Sequence, residues 1–353
     1  MSEISNAHYT TLQGAYDVEM MEATIKVRRY DGEEGDHATF ETFTVEIPAT
    51  ATVLDALDAV KDKIDGTLAY RKSCRMSICG SCGMRVDGAA ALACKTAMKP
   101  YVDAGHTITV SPMGNLPVIK DLVVDMAPFW HKIRTVKPFL DTHDEDPGER
   151  EWRVTPGQYD AIHKESLCIL CGCCVSECNS MEADPDFLGP AALAKAYRFV
   201  GDSRDRDQRE RLRDLSGAHG IWDCTRCYFC NQRCPKGVDP RDAIAKLGAE
   251  AFKEGFTRDE GAKHAKVFIS STYKGGYLRE TELVPKTIGP IAAIKDIPFA
   301  LQLARAGKVP NPLSSHKAKE NDEVKRLWKL LEAEAKSRPK REHARRAEEV
   351  EGR

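Results

Sequence analysis

Residues 74–94 read CRMSICGSCGMRVDGAAALAC, residues 168–178 read CILCGCCVSEC, and residues 224–235 read CTRCYFCNQRCP. These three stretches hold all 13 cysteines of the 353-residue chain. Clustering of this kind in a long chain points to metal, because a disulfide scaffold is short and spreads its cysteines along its length. The length exceeds one small module and suits two small domains with extensions, and a hydrophobic content of 42% lets each domain bury a core. With 52 basic and 54 acidic residues the formal net charge is −2, which gives no support for nucleic-acid binding. The best apolar runs, 116–130 and 288–306, are broken by Lys120, Asp121 and Asp125, and by Lys295, Asp296 and Arg305. Neither supplies the roughly 18 uninterrupted apolar residues of a membrane span. The first residues, MSEISNAHYT, lack a basic region followed by an apolar one, so no secretory signal and a cytoplasmic location are expected.

The first stretch follows C-x4-C-x2-C-x11-C, with Cys74, Cys79, Cys82 and Cys94. Its first three positions match the plant-type [2Fe–2S] spacing. Two irons sharing two sulfides need four thiolates, and the loop must wrap tightly enough to turn backbone N–H groups toward sulfur. Gly80 and Gly83 are expected to supply the permissive backbone. A structural zinc site is the alternative, but zinc favours paired knuckles and fits the x4–x2 triplet poorly.

The second stretch places Cys168, Cys171, Cys174 and Cys178 in C-x2-C-x2-C-x3-C. The third repeats this with Cys224, Cys227, Cys230 and Cys234, followed by Pro235. In two-cluster bacterial ferredoxins with this spacing, the fourth cysteine of each run ligates the other cluster. One [4Fe–4S] cluster is therefore expected on Cys168, Cys171, Cys174 and Cys234, and another on Cys224, Cys227, Cys230 and Cys178. Three close thiolates cover one face of a cubane, and the fourth corner must be reached from elsewhere. Cys173 is left over and reads as a small buried hydrophobe. Three clusters in one chain make a wire for single electrons. No G-x-G-x-x-G follows a strand, so a flavin or nicotinamide must come from partners.

Around these stretches the expected fold is α+β. Residues 24–30 and 38–47 alternate and read as a β-hairpin. Residues 50–64 place Val53, Leu54, Leu57, Val60 and Ile64 on one helical face, with Thr50 or Thr52 as N-cap and Gly66 as the stop. Short strands at 84–86 and 106–110 complete a β-grasp [2Fe–2S] ferredoxin-like domain over residues 21–130, after a flexible N-terminus at 1–20. Residues 118–139 read as helical and lead into a linker at 131–154. An all-α, bacterial-ferredoxin-like two-cluster domain is expected over 155–258, with helices at 190–200, 206–215 and 240–256. A helical C-terminal extension, 259–353, has an apolar helix at 294–306 and a charged helix whose Val324, Leu327, Trp328 and Leu331 share a face. Its last fifteen residues are expected to be disordered. Phe129, Trp130 and His131 read as core.

The order of these cysteine patterns, with LPVIKDLVVDM (116–126), FLGPAALAKAYRF (187–199) and DSRD (202–205) between them, resembles the iron–sulfur subunit of succinate dehydrogenases and fumarate reductases over about residues 22–258. The resemblance implies a [2Fe–2S] cluster at Cys74, Cys79, Cys82 and Cys94 and a [4Fe–4S] cluster at Cys168, Cys171, Cys174 and Cys234. It also implies a FAD-containing flavoprotein partner that interconverts succinate and fumarate, a membrane-anchor or cysteine-rich partner subunit, and a quinone reached through the anchor. Attachment would be peripheral, on the inner face of the cytoplasmic membrane. Members of this family commonly bind [3Fe–4S] through three cysteines, here Cys178, Cys224 and Cys230. This chain has Cys227 at a position that is usually not cysteine, so it resembles members with an extra cysteine in the last run, and a second [4Fe–4S] cluster is expected, with [3Fe–4S] as the alternative. The usual quinone-contacting Trp and His are not recognisable in NSMEADPDF (179–187) or at Thr225, so no catalytic or quinone residue is assigned. The tail weakly resembles those of heterodisulfide-reductase-like subunits. A subunit of such a complex, or of a glycerol-phosphate-type one, is the alternative function, and a zinc-binding interaction module is a more distant one.

Overall fold

The computed structural model describes residues 19–32, 37–143, 151–308 and 318–337. The expected flexible N-terminus at 1–20, apart from residues 19 and 20, of which Met20 opens a strand, lies outside them, as do the last fifteen residues and part of the linker.

The first hairpin pairs β1 (Met20–Arg29) antiparallel with β2 (Thr39–Pro48), in the register Met20↔Pro48 to Arg29↔Thr39. Strand alternation puts Ala23, Ile25 and Val27 on the covered face with Val45 and Ile47 beside them, all buried. Helix α1 (Val53–Lys63) follows. Thr52 is its N-cap and forms a reciprocal capping box with Asp55. Val53, Leu54, Leu57 and Val60 are buried against the sheet, and each such side chain contributes roughly 1.5–3 kcal/mol by leaving water. β3 (Gly83–Val86), β4 (Ala89–Leu92), the short helix α2 (Lys99–Asp103) and β5 (Ile108–Ser111) complete the sheet, in the order β2-β1-β5-β3-β4. β1 and β5 are parallel, with Ile25↔Ile108 and Val27↔Val110. A mixed sheet crossed by one helix is the expected β-grasp. β4 is an addition: AAAL has too little β-branching to announce a strand.

Residues 118–126 depart from the expected helix. They form β6 (Val118–Lys120) and β7 (Val123–Val124), and helix α3 begins only at Ala127 and ends at Thr135. Asp121 sits at the turn with φ +46° and is buried. Its carboxylate accepts from Arg29 Nε at 3.0 Å, Tyr30 N at 3.0 Å and Ala69 N at 2.8 Å. Three remote donors thus fix a turn that the local pattern does not show. On α3 only Phe129 and Ile133 are buried; Trp130 and His131 are exposed, which corrects their reading as core.

Beyond residue 151 the described residues contain no strand. Helices α4 (Pro156–Asp160), α5 (His163–Ser166), α6 (Cys173–Ser176), α7 (Asn179–Ala183), α8 (Gly189–Val200), α9 (Gln208–Leu215), α10 (Phe229–Gln232) and α11 (Pro240–Lys253) bear out the three expected helices and add short ones beside the cysteines. α12 (Glu260–Gly275), capped by Asp259, falls in the expected helical extension, at a place where the sequence marks no particular helix. α13 (Glu280–Ile288), α14 (Pro290–Ala293), α15 (Ile297–Arg305) and α16 (Asn321–Ser337) follow.

The chain divides into two compact units. Among the described residues, one comprises those within 1–137, 164–195 and 225–241; the other comprises those within 138–163, 196–224 and 242–353. In the first, the β-grasp sheet and two cysteine-bearing segments share a core that includes Cys171 and Cys173. In the second, the Trp222 and Phe252 rings meet edge to face at 5.1 Å. Arg211 is buried, donating to Asp205 at 2.9 Å and to the Phe139 carbonyl at 2.8 Å. The α13–α15 segment leaves Ile291 82%, Ile294 61% and Phe299 63% exposed. On α16, Val324 and Trp328 are half-buried, whereas Leu327 and Leu331 are exposed, so only part of that stripe packs on its own unit.

Candidate functional site

The first cysteine loop turns its amides toward sulfur. Arg75 and Ser77 adopt φ of +57° and +61°, and Gly80 adopts +74°. Left-handed residues alternating with ordinary ones form a concave array of N–H groups. Ile78 N and Cys79 N donate to Cys74 Sγ at 3.3 and 3.2 Å, and Ser77 N donates to Cys94 Sγ at 3.3 Å. Cys74 N donates to Cys79 Sγ at 3.5 Å. Two of the left-handed residues are not glycine, and Gly83 is not left-handed, so the permissive backbone is only partly where it was expected. The explanation for Arg75 lies in helix α1. Asp58, buried on α1, accepts from Lys72 Nζ at 2.7 Å, from the Tyr70 hydroxyl and from the Arg75 guanidinium, which ties the loop down at three points. Burial and the Asp58 carboxylate push the Tyr70 phenol well above its ordinary value, so it remains a donor. Asp58 was missed in the sequence. A carboxylate four residues after Leu54, on an apolar face and ahead of Tyr70, Lys72 and Arg75, was the available signal.

Within the same unit, burial opposes ionisation of Cys174 first, and then Cys171, Cys168, Cys230 and Cys234 oppose it further. Burial likewise pushes the Cys168 thiol up, against the Leu170 amide and the Lys195 ammonium, which favour the thiolate. Cys168, Cys171, Cys174 and Cys234 line one small cavity of this unit. The segment 173–178 is clamped from the β-grasp side. Arg85 on β3 donates to Glu177 Oε1 and to the Ser176 carbonyl, both at 2.8 Å. Asn115 Nδ2 donates to the Val175 and Cys178 carbonyls at 2.8 and 3.0 Å, and Gly114 N donates to Ser176 Oγ at 2.9 Å. Nothing in the sequence marks Arg85 or Asn115, because their partners lie about 60 to 90 residues away.

The second and third stretches share a backbone as well as a spacing. Leu170 and Arg226 have φ of +57° and +58°; Gly172 and Tyr228 have φ of +83° and +69°. Each pair is followed by a one-turn helix, α6 or α10. Cys227 thus occupies in its run the place that Cys171 occupies in the other. It is exposed where Cys171 is buried. Cys178, Cys227 and Cys230 belong to the first unit, and Cys224 ends a segment of the second. Tyr228 carries a side chain at the glycine-like position, and its ring lies 4.4 Å from the Arg241 guanidinium.

The donor sets fit iron–sulfur groups. The Ser81 hydroxyl, followed by the Cys74 and Ser81 amides, holds the Cys79 thiol down to about 6, and the Cys173 thiol holds Cys171 down to about 7. Burial pushes Cys82 up to about 12. Iron would displace the protons that such buried thiols retain, so metal uptake is coupled to proton release. Groups bound here would supply one-electron chemistry. The protein supplies thiolates, N–H donors to sulfur and exclusion of water.

Comparison with known proteins agrees with this geometry. The family described as "2Fe-2S iron-sulfur cluster binding domain" matches residues 24–131, and that described as "4Fe-4S dicluster domain" matches residues 165–238. The fumarate reductase iron-sulfur subunit of Mycobacterium tuberculosis is 46% identical over 223 residues, 63% of this chain and 90% of the relative. That of Escherichia coli is 39% identical over 238 residues, 67% and 96% of the two chains. The 8-methylmenaquinol:fumarate reductase iron-sulfur subunit of Wolinella succinogenes is 35% identical over 318 residues, covering 88% of this chain and 98% of the relative. That match is too long to end before the C-terminal region. Among solved structures, a chain of the Mycobacterium smegmatis Sdh1 complex in the apo form superposes with a TM-score of 0.58 at 25% identity, covering 67% of this chain and 98% of that one. Converging thiols, matched domains and near-complete coverage of relatives lead to one conclusion: the chain belongs to the family of iron–sulfur subunits of fumarate reductases and succinate dehydrogenases, and serves as the electron-transfer subunit of such an oxidoreductase.

Proposed function

We propose that the chain passes single electrons along three centres: [2Fe–2S] on Cys74, Cys79, Cys82 and Cys94; [4Fe–4S] on Cys168, Cys171, Cys174 and Cys234; and a second [4Fe–4S] on Cys178, Cys224, Cys227 and Cys230. The observation that carries the third assignment is the repeated backbone. The φ pattern that delivers Cys171 recurs around Cys227, so a fourth thiolate is available where a [3Fe–4S] site has none. The chain's partners in this reading are a FAD-containing flavoprotein that interconverts succinate and fumarate, and a membrane-anchor or cysteine-rich subunit leading to a quinone. No described helix is long and apolar enough to cross a membrane, which is consistent with peripheral attachment to the inner face of the cytoplasmic membrane through those partners. The domain division at 21–130, 131–154, 155–258 and 259–353 is retained in this reading.

The working direction we favour is quinol to fumarate. A fourth iron is expected to lower the potential of the last centre and so disfavour electrons arriving from succinate. The relative that matches into the C-terminal region is itself named for a menaquinol-class donor and fumarate. Anaerobic purification of the complex, with iron and acid-labile sulfide analysis, EPR and identification of co-purifying subunits, tests the clusters and partners, and the ratio of quinol-driven fumarate reduction to succinate oxidation tests the direction. A flavin-bearing subunit and no [3Fe–4S] signal in the oxidised state are expected. A strong oxidised [3Fe–4S] signal overturns the third assignment, and a preparation without iron and sulfide overturns the whole.

A further inference from the structure

Two cysteine loops of the first unit touch backbone to backbone. Gly80 lies between Cys79 and Cys82, and its approach is so close that a Cβ there would sit 2.8 Å from Cys171 Cα, 2.9 Å from Cys171 Cβ and 3.2 Å from Cys171 N. At Gly83 a Cβ would sit 3.0 Å from the Cys171 carbonyl oxygen and 3.1 Å from Met113 Sδ. Two glycines that flank one proposed ligand set thus face a single residue of the other. Non-bonded carbons rest at about 3.5–4.0 Å, so a methyl at Gly80 demands a separation of the loops on the order of 1 Å.

Neither side yields easily. The Cys171 loop is continuous with segment 173–178, which Arg85, Gly114 and Asn115 hold to the β-grasp sheet. The first loop is held by Asp58. Met113 is buried between the two; its Sδ lies near the Gly83 position and also 3.4 Å from where a Cβ on Gly172 would lie. Packed interiors respond to an added methyl by moving backbone, not by absorbing it.

We propose that Gly80 and Gly83 are spacing residues that fix the separation of the first two centres and thereby the rate of electron exchange between them. This rests on the ligand sets of the proposed function. In the exchange one electron leaves the reduced [2Fe–2S] group and enters the oxidised [4Fe–4S] group, or the reverse, with no bond made and no proton moved. Tunnelling rates fall exponentially with separation, so an added methyl slows the exchange several-fold without removing a ligand.

The test uses the full chain in its complex, with three variants. Gly83→Ala introduces the contact alone, because Gly83 is not left-handed. Gly80→Ala introduces the contact and left-handed strain. Gly88→Ala introduces strain alone, because Gly88 has φ +75° with nothing within 4 Å of a Cβ. Iron and sulfide content is measured first. The readouts are the relaxation enhancement that the second reduced centre imposes on the EPR signal of the first, and the single-turnover rate at which the second follows the first. Weaker enhancement and a several-fold slower rate are expected for Gly80→Ala and Gly83→Ala, with Gly88→Ala like the parent. If Gly80→Ala does not load its clusters, Gly83→Ala decides. Full cluster content with unchanged enhancement and rate in Gly83→Ala overturns the spacing role. Absence of clusters from the parent overturns the underlying ligand assignment instead.

Discussion

Arg85→Ala is expected to loosen segment 173–178 from the β-grasp sheet while leaving every cysteine in place. Arg85 makes two charge-assisted bonds at 2.8 Å, one to the Glu177 carboxylate and one to the Ser176 carbonyl. Bonds to charged groups contribute roughly 1.5–3 kcal/mol each when shielded. The arginine side chain is 34% exposed and Glu177 16%, so the upper part of that range is discounted for solvent screening. Glu177 also keeps its bond from Ser176 Oγ at 3.0 Å. The net loss is then about 2 kcal/mol, or about thirtyfold in the equilibrium for opening this contact. Where opening is fast compared with attack, chelator-driven bleaching follows the open population and accelerates by about the same factor. Hydrogen exchange of amides 172–178 and the decay of visible absorbance under chelator measure the two effects independently. Arg85→Lys, which keeps the charge but not the fork, falls between. Clusters that load normally in Arg85→Ala, yet bleach and exchange within twofold of the parent, would refute the clamp.

Three other outcomes follow from the same geometry. Cys227→Ala, which offers iron no donor atom, loses one iron per chain and gains a [3Fe–4S] EPR signal in the oxidised state; unchanged iron content would show that this thiol is not a ligand. Asp202→Asn lowers stability by about 2 kcal/mol at pH 7. Burial alone would raise the Asp202 carboxyl, but the side chain and amide of Arg204, then Arg198, outweigh it and hold it down to about 2. Because the folded value is depressed, this contribution is complete above the unfolded carboxyl's ordinary range, and the difference between variant and parent in denaturant shrinks as pH falls from about 5 toward 2. Deleting residues 310–353 removes the Trp328–Tyr273 edge contact at 6.4 Å and the Asn321 bond to the Lys274 carbonyl. Co-purification of the flavoprotein and anchor with the truncated chain separates a packing role for α16, which leaves the complex intact, from an assembly role, which does not.

The elements that read clearly from sequence are those whose cause is local. Thr52 with Asp55 and the stripe Val53-Leu54-Leu57-Val60 announce α1 because cap and face both lie within one helix. The cysteine spacings announce their chemistry because a cluster dictates spacing. What the sequence hides is held by distant partners. The run LPVIKDLVVDM has apolar residues enough for either period, and it becomes a tight pair of strands only because Arg29, Tyr30 and Ala69 converge on Asp121. Asp58 reads as one more acid on a charged helix until the loop at 70–75 folds over it. Trp130 and His131 look like core beside Phe129, but a helix with a turn of 3.6 residues buries 129 and 133 and turns 130 and 131 to water.

The apolar side chains left uncovered on α13–α15 bear on how this protein behaves in water. Ile291, Ile294 and Phe299 are exposed, and Ile294 and Phe299 line one apolar groove of the kind that drives self-association in water. A chain whose α13–α15 surface stays uncovered is expected to self-associate, so its average mass in solution rises with concentration.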